Sequence, residues 1–271
     1  MADREDDLIG AARSVLVEVV DLLKAYRDAA VVAGGWVPQL LPSKGVIPHV
    51  GSTDVDLVLD YRRIPERGDI LLKDLLLTSG YRPGRQPFQY HRAVARDIGN
   101  FDVRVDLLTL EPEGNPPGDY YQHIQGVEAL KVRGLDLVFE MPFETEIRGR
   151  LPEGETVTVT LRVASTVPFL VLKGLALFDR RERKDAYDIY HRLKNYRGDA
   201  SELACEFAPY LSRDVVKESL NKIAAFFASV KSEGPRFVAD FLATSDRPAR
   251  DSMERDAYEH VNSFLQSLSV T

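Results

Sequence analysis

The stretch GSTDVDLVLD, Gly51 to Asp60, constrains the fold more than any other part of the chain. Val55, Leu57 and Leu59 alternate with Asp54 and Asp56, and a period of two is that of a β-strand, whose side chains point to opposite faces in turn. Such a strand buries one face in a core and turns Asp54 and Asp56 to the same side of the other. Two carboxylates aimed at one spot repel each other unless a cation sits between them. An all-oxygen pair of this kind suits Mg²⁺, and the small residues Gly51, Ser52 and Thr53 leave room for a phosphate beside it.

The apolar pattern around this strand predicts its neighbours. Leu8, Ala12, Val15, Val19, Leu22, Leu23 and Tyr26 recur at helical spacing, giving a helix from Glu5 to about Ala30. Ala30–Ala33 is a short buried strand ended by Gly34-Gly35, and Trp36–Leu41 a short helix broken by Pro42 and Gly45. Ile70–Leu77 is a further helix. Gln89–Ala95 and Phe101–Leu110 are strands joined around Gly99-Asn100, and Asp102, Arg104 and Asp106 share one face of the second. Leu135–Ile147 and Thr156–Val163 read as a pair of strands around Pro152-Glu153-Gly154. From Pro168 onward strand signals vanish, and 168–179, 182–195, 201–210, 213–231, 235–243 and 252–268 favour helix. The expected class is therefore α+β: a mixed sheet with flanking helices over 1–165, then an all-helical domain over 166–271.

Composition sets the surroundings. The 271 residues are 44% hydrophobic and 28% charged, ordinary for a globular chain able to bury a sizeable core. No apolar run is long enough to span a bilayer, and MADREDDLIG lacks the basic start and apolar stretch of a signal peptide. Cys205 is the single cysteine, so no intramolecular disulfide forms and a cytoplasmic location without membrane contact is expected. A net charge of −7 argues against a general nucleic-acid binder, although a local basic patch would escape that total.

The ordered set resembles a known superfamily. A Gly-Gly turn, a strand opening Asp-Val-Asp, a later strand carrying Asp106, and then VLKGLALFDRRERKDAYDIYHRL resemble the nucleotidyltransferases typified by DNA polymerase β, and more narrowly the AbiEii-type nucleotidyltransferase toxins of toxin–antitoxin systems. The resemblance runs from about Ala33 to Leu193. It implies a polymerase-β-like catalytic domain in which Asp54, Asp56 and Asp106 hold two Mg²⁺ ions, or Mn²⁺ in their place. A metal pair about 4 Å apart stabilises the attacking and leaving oxygens of an in-line displacement. The implied reaction is attack of an acceptor hydroxyl on the α-phosphate of a nucleoside triphosphate, releasing pyrophosphate. The implied nucleotide-binding residues are Gly34, Gly35, Ser52, Thr53, Lys173 and Arg180, with Asp185 positioning a cation or Arg180. Lys173 and Arg180, seven apart, share a helix face and can hold the β- and γ-phosphates. The stretch Leu41–Val50 is longer than the compact motif has, which leaves open whether Gly34-Gly35 or Gly51-Ser52 anchors the phosphate loop. The reading adopted gives the turn to Gly34-Gly35 and the closing loop to Ser52-Thr53. The implied partners are an RNA acceptor such as tRNA and a cognate antitoxin protein.

Blander readings compete at several positions. Lys173, inside FLVLKGLALF, either snorkels out or meets an anion, and the anion is the reading adopted. Arg180, Arg181, Arg183 and Lys184 are either a solvated face with local ion pairs or a phosphate-binding cluster. Asp188, Tyr187 and Tyr190 are assigned to packing, as is Trp36. His49, His91, His123, His191 and His260 have no zinc-like spacing. Cys205 is expected to be a buried small hydrophobe. Two rival functions remain: a small-molecule nucleotidyltransferase of the aminoglycoside-modifying type, and a catalytically silent nucleotide-binding module.

Overall fold

The computed structural model describes residues 2–66, 70–96 and 99–269, the first four of these by backbone alone. A mixed sheet with helices is followed by an all-helical region. The chain divides into two compact units, Met1–Leu40 with Val50–Ser165, and Leu41–His49 with Thr166–Thr271. The segment 41–49 thus belongs with the helices, whereas the sequence division at 165 leaves it with the sheet.

In the first unit, α1 (Ala2–Leu22) leads through a 3-10 turn, Lys24–Ala29, into β1 (Ala30–Ala33). A second 3-10 turn, Gly34–Trp36, and α2 (Val37–Leu40) precede β2 (Asp54–Leu59). Then come α3 (Leu72–Thr78), β3 (Tyr81–Pro83), β4 (Gln89–Arg96), β5 (Gly99–Leu110), β6 (Tyr121–Ile124), β7 (Val127–Val132), α4 (Asp136–Glu140), β8 (Pro142–Arg150) and β9 (Thr156–Ala164). The nine strands form one sheet in the order β3-β4-β5-β2-β1-β9-β8, with the β6–β7 hairpin joined to β5 through β7. The central pair β2–β5 is parallel, and β1–β2 and β4–β5 are antiparallel. α1 packs on the face formed by Val55, Leu57, Val103, Val105 and Leu107, all fully buried or nearly so. Burial of that stripe is the main driving force for the unit.

Several elements differ from expectation. The first helix stops at Leu22, and Tyr26, whose hydroxyl donates to Gln125 Oε1 at 2.9 Å, leaves helical dihedrals. The hairpin β6–β7 escapes sequence reading because its two-residue turn uses Gln125 at φ 45°, an unfavourable choice for a left-handed position. Gln125 is held there by its side chain, which accepts from Leu72 N and donates to the Pro65 carbonyl. Leu135–Met141 contains α4 rather than strand. Its short run Leu137, Val138, Phe139 is buried, and α4 packs on β1 and β9, so tertiary contacts decide an ambiguous period. Gly99 and Asn100 are the first pair of β5, registered with Arg96 and Ala95; residues 97–98 lie outside the described residues.

The second unit comprises α5 (Thr166–Arg180), α6 (Arg183–Lys194), α7 (Ala200–Phe207), α8 (Asp214–Phe226), α9 (Glu233–Phe241) and α10 (Arg247–Leu268). Asp199 and Glu202 form a capping box at α7, and Asp246 caps α10, which therefore starts before residue 252. Gly174 lets α5 approach α8 closely: a Cβ there would lie 2.2 Å from Ser219 Oγ. The segment 41–49 is bound to the end of α6. Lys44 N donates to the Asn195 carbonyl at 2.9 Å, Ile47 N to Asn195 Oδ1 at 3.1 Å, and Arg192 to the Pro42 carbonyl at 3.1 Å. Among the described residues no helix is long and apolar enough to cross a membrane.

Candidate functional site

The acidic face of the sheet is assembled by strand register. β2 and β5 run in parallel with Asp54 opposite Arg104 and Asp56 opposite Asp106, so these four side chains share one face. On the far side of β5, β4 sets Gln89 opposite Asp106 and His91 opposite Arg104. On the far side of β2, β1 ends with Ala33 opposite Asp56, and the chain turns immediately at Gly34. Asp54, Asp56 and Asp106 are half-buried.

Gly34 has φ 64°, and a Cβ there would lie 1.7 Å from Asp56 Oδ2. The Asp56 carboxylate therefore rests against the Gly34 backbone, an approach that only glycine permits. Gly35 is buried beneath the turn. Trp36 is buried as expected, and its indole N–H donates to the Asp54 carbonyl at 2.8 Å, pinning the start of β2. Ser52 is buried and its hydroxyl donates to Asp54 Oδ1 at 2.8 Å, while Thr53 is exposed. Gly51, at φ 94°, packs beside Ile9 and Gln39. Both candidate glycines thus adopt left-handed backbone, but only Gly34 is set against a site carboxylate.

Arg104 is the cation among these carboxylates. Its Nη2 bonds Asp54 Oδ2, and its Nε lies 3.3 Å from Asp106 Oδ1. That Asp106 oxygen is shielded from solvent and has no hydrogen bond. Burial pushes the Asp106 carboxyl above the usual carboxylate range, with Arg104 pulling it back and the Asp54 charge adding to the rise. Asp102, the other acid on β5, is taken up by Arg82 at 2.7 Å and His91 at 2.9 Å.

Three carboxylates on one face, one with an oxygen lacking a hydrogen bond, supply the all-oxygen donors that a hard cation such as Mg²⁺ takes. In the arrangement present, the guanidinium of Arg104 bridges two of them, and among the described residues no group of three or more His, Cys, Asp or Glu side chains converges as a metal site.

The residues expected from helices lie in the second unit and form their own cluster. Lys173 is buried and does meet an anion, but a protein one: its Nζ is 2.7 Å from Asp185 Oδ1 and 2.6 Å from Asp188 Oδ2. Asp185 also receives Arg180 at 3.2 Å. Asp188 is completely buried and further binds His49 Nε2 at 2.9 Å and Lys184 at 3.2 Å. Burial alone would raise the Asp188 carboxyl, yet Lys173, His49 and Lys184 hold it well below the usual range. Burial would likewise lower the Lys173 ammonium, and Asp188 with Asp185 keep it raised. The helix that carries Lys173 does not present a free ammonium to a phosphate.

The basic run after it is a set of local ion pairs: Arg181 with Glu233, Arg183 with Asp240 at 3.8 Å, and Lys184 with Asp188. Cys205 is exposed, contrary to expectation. The buried residues of α7 are Leu203, Ala204 and Phe207, and a helix of this pitch turns position 205 outward.

Sequence reasoning overlooked Arg104 and the pairing of His49 with Asp188. The first was visible as the residue between Asp102 and Asp106 on one strand face. The second joins residues 139 apart and leaves no local trace. Compared with protein-family models, curated proteins and solved structures, the chain matches none.

Proposed function

We propose that this chain is a Mg²⁺-dependent nucleotidyltransferase whose first unit has a polymerase-β-like fold and whose site is the acidic face of β2 and β5. The observation that supports it best is the register that sets Asp56 beside Asp106, with Asp54 on the same face and Gly34 against the Asp56 carboxylate. Asp54, Asp56 and Asp106 would hold the metal, which when bound supplies a Lewis acid that offsets charge on the triphosphate and acidifies the acceptor hydroxyl. Ser52 and Trp36 fix Asp54 through its side chain and its backbone respectively. Gly34 allows main-chain groups to come close to a phosphate.

Following the family resemblance, the reaction moves a nucleoside monophosphate from a triphosphate to an RNA such as tRNA, in a cytoplasmic toxin held in check by an antitoxin protein. The test is incubation with each labelled triphosphate and a total RNA and protein extract, comparing wild type with Asp54→Ala. Label should enter RNA with wild type and fall by about a thousandfold in the variant, the scale of loss seen when a principal electrostatic group is removed. Equal labelling by both proteins would sink the metal-ligand assignment. Label on an added aminoglycoside and not on RNA would move the acceptor to a small molecule.

One observation favours the silent-module reading: Arg104 already neutralises part of the carboxylate set. Binding of triphosphate with Mg²⁺, but no pyrophosphate release with any acceptor, would establish it.

A further inference from the structure

Resting on the proposed metal site, we infer that Arg104 is an exchangeable counter-cation: it occupies Asp54 and Asp106 before metal arrives, gives them up to the metal, and then binds the triphosphate. The strand register makes this arrangement specific. Arg104 is paired across the β2–β5 ladder with Asp54 and stands two residues before Asp106 on its own strand, so one guanidinium reaches both. Its planar fork reaches the two carboxylates through separate nitrogens, Nη2 toward Asp54 and Nε toward Asp106.

The bonds also look replaceable. Lys173, saturated by two carboxylates, has a side chain only 11% exposed, whereas the Arg104 side chain is 44% exposed and can swing into solvent at little cost. It makes one hydrogen-bonded contact and one looser approach at 3.3 Å, which leaves Asp106 Oδ1 without a hydrogen bond. A metal held by Asp54 and Asp106 would draw on the same two carboxylates, so metal and guanidinium compete for them. The triphosphate that accompanies the metal carries the anionic oxygens a displaced guanidinium needs. His91, registered opposite Arg104, is itself paired with Asp102.

Exchange predicts effects of opposite sign on two ligands. Mn²⁺ binding to the full chain, followed by electron paramagnetic resonance without nucleotide, should be about tenfold tighter in Arg104→Gln, because an adjacent guanidinium weakens a carboxylate's hold on cations by one or more powers of ten. Binding of a non-hydrolysable triphosphate in the presence of Mn²⁺ should weaken by about tenfold in the same variant, the loss of one charge-assisted contact. Arg104→Lys, which keeps the charge and loses the bridge, should fall between for both ligands. Thermal melts confirm that each variant is folded, and Asp54→Asn identifies binding that belongs to this site. If Arg104→Gln leaves Mn²⁺ affinity unchanged or lower while Asp54→Asn still removes binding, exchange is wrong and the metal site stands. If triphosphate binding is unaffected, Arg104 is a static counter-ion and the inference fails. If no variant shows Mn²⁺ binding that depends on Asp54, the proposed function fails and takes the exchange with it.

Discussion

Each unit of this chain carries a cluster of charges, and the two clusters obey opposite rules. On the sheet, one guanidinium bridges two of three half-buried aspartates, Asp54 and Asp106, and an Asp106 oxygen is left without a hydrogen bond. Among the helices, Asp188 is fully buried and surrounded by Lys173, Lys184 and His49, with Asp185 completing the set. A buried charge is tolerated only when its partners are in place, so the helical cluster is closed and its members hold one another. The sheet cluster is the more open to solvent, with Arg104 exposed and Asp54 partly so. Exposure therefore separates the two more clearly than residue type or unpaired oxygens do, since both are built from aspartates and basic side chains and an Asp185 oxygen also lacks a hydrogen bond.

Exchanging the lesions tests that contrast. The largest effect expected is on activity. Asp106→Asn should reduce nucleotidyl transfer by about a thousandfold yet leave stability little changed, because burial and the Asp54 charge already disfavour the carboxylate that it removes. The reverse is expected for Lys173→Met and Asp188→Asn. Each strands a buried charge and should lower unfolding free energy by about 3–5 kcal/mol in urea titration. Loss of transfer in Lys173→Met at full stability would mean that this lysine serves chemistry and that the contrast is misdrawn.

Next in size is an acid effect confined to the helical cluster. Burial pushes His191 down to about 4 and also lowers His49, against the opposing pull of Asp188. In the pH range from 6.5 down to about 4 the unfolded chain binds the His191 proton and the folded chain does not, so stability must fall as pH falls. The His191 contribution is on the order of 3 kcal/mol. It is complete above pH 6.5 and lost toward pH 4. Unfolding free energies measured across that range should slope less steeply in His191→Gln; an unchanged slope would remove His191 as the cause. The smallest effect is reserved for a position outside both clusters. Cys205→Ser should change stability by less than about 0.5 kcal/mol, and the native thiol should react with a disulfide reagent without unfolding.

What could be read from sequence divides along the same physical line. β2 and β5 announce themselves because alternation is local, as in Val103, Val105 and Leu107 against Asp102, Arg104 and Asp106. The change to helix after residue 165 is equally plain from composition. The pairing of Asp56 with Asp106 is not legible, since parallel register depends on partners 50 residues away rather than on either strand's own pattern. For that reason Arg104 passes as one more polar residue until Asp54 is set opposite it. Lys173 shows the same limit: its apolar surroundings imply an anion, but Asp185 and Asp188 belong to a different helix. Cys205 was misjudged because an apolar-looking stretch reveals burial only when the angular position of each residue is followed.

The membership of residues 41–49 in the helical unit has a consequence for the order in which the chain can fold. Their partners Asp188, His191, Arg192 and Asn195 lie 139 to 150 residues further on. At ribosomal speeds the early segment must wait roughly seven to thirty seconds for them to be made. Throughout that interval Pro42 and Ile47 expose main-chain groups that end up bonded to α6. The helical unit thus takes in chain made between β1 and β2, and it is completed only after β9 has been made. Contacts of such span slow folding, so a late kinetic phase should report on closure of His49 onto Asp188.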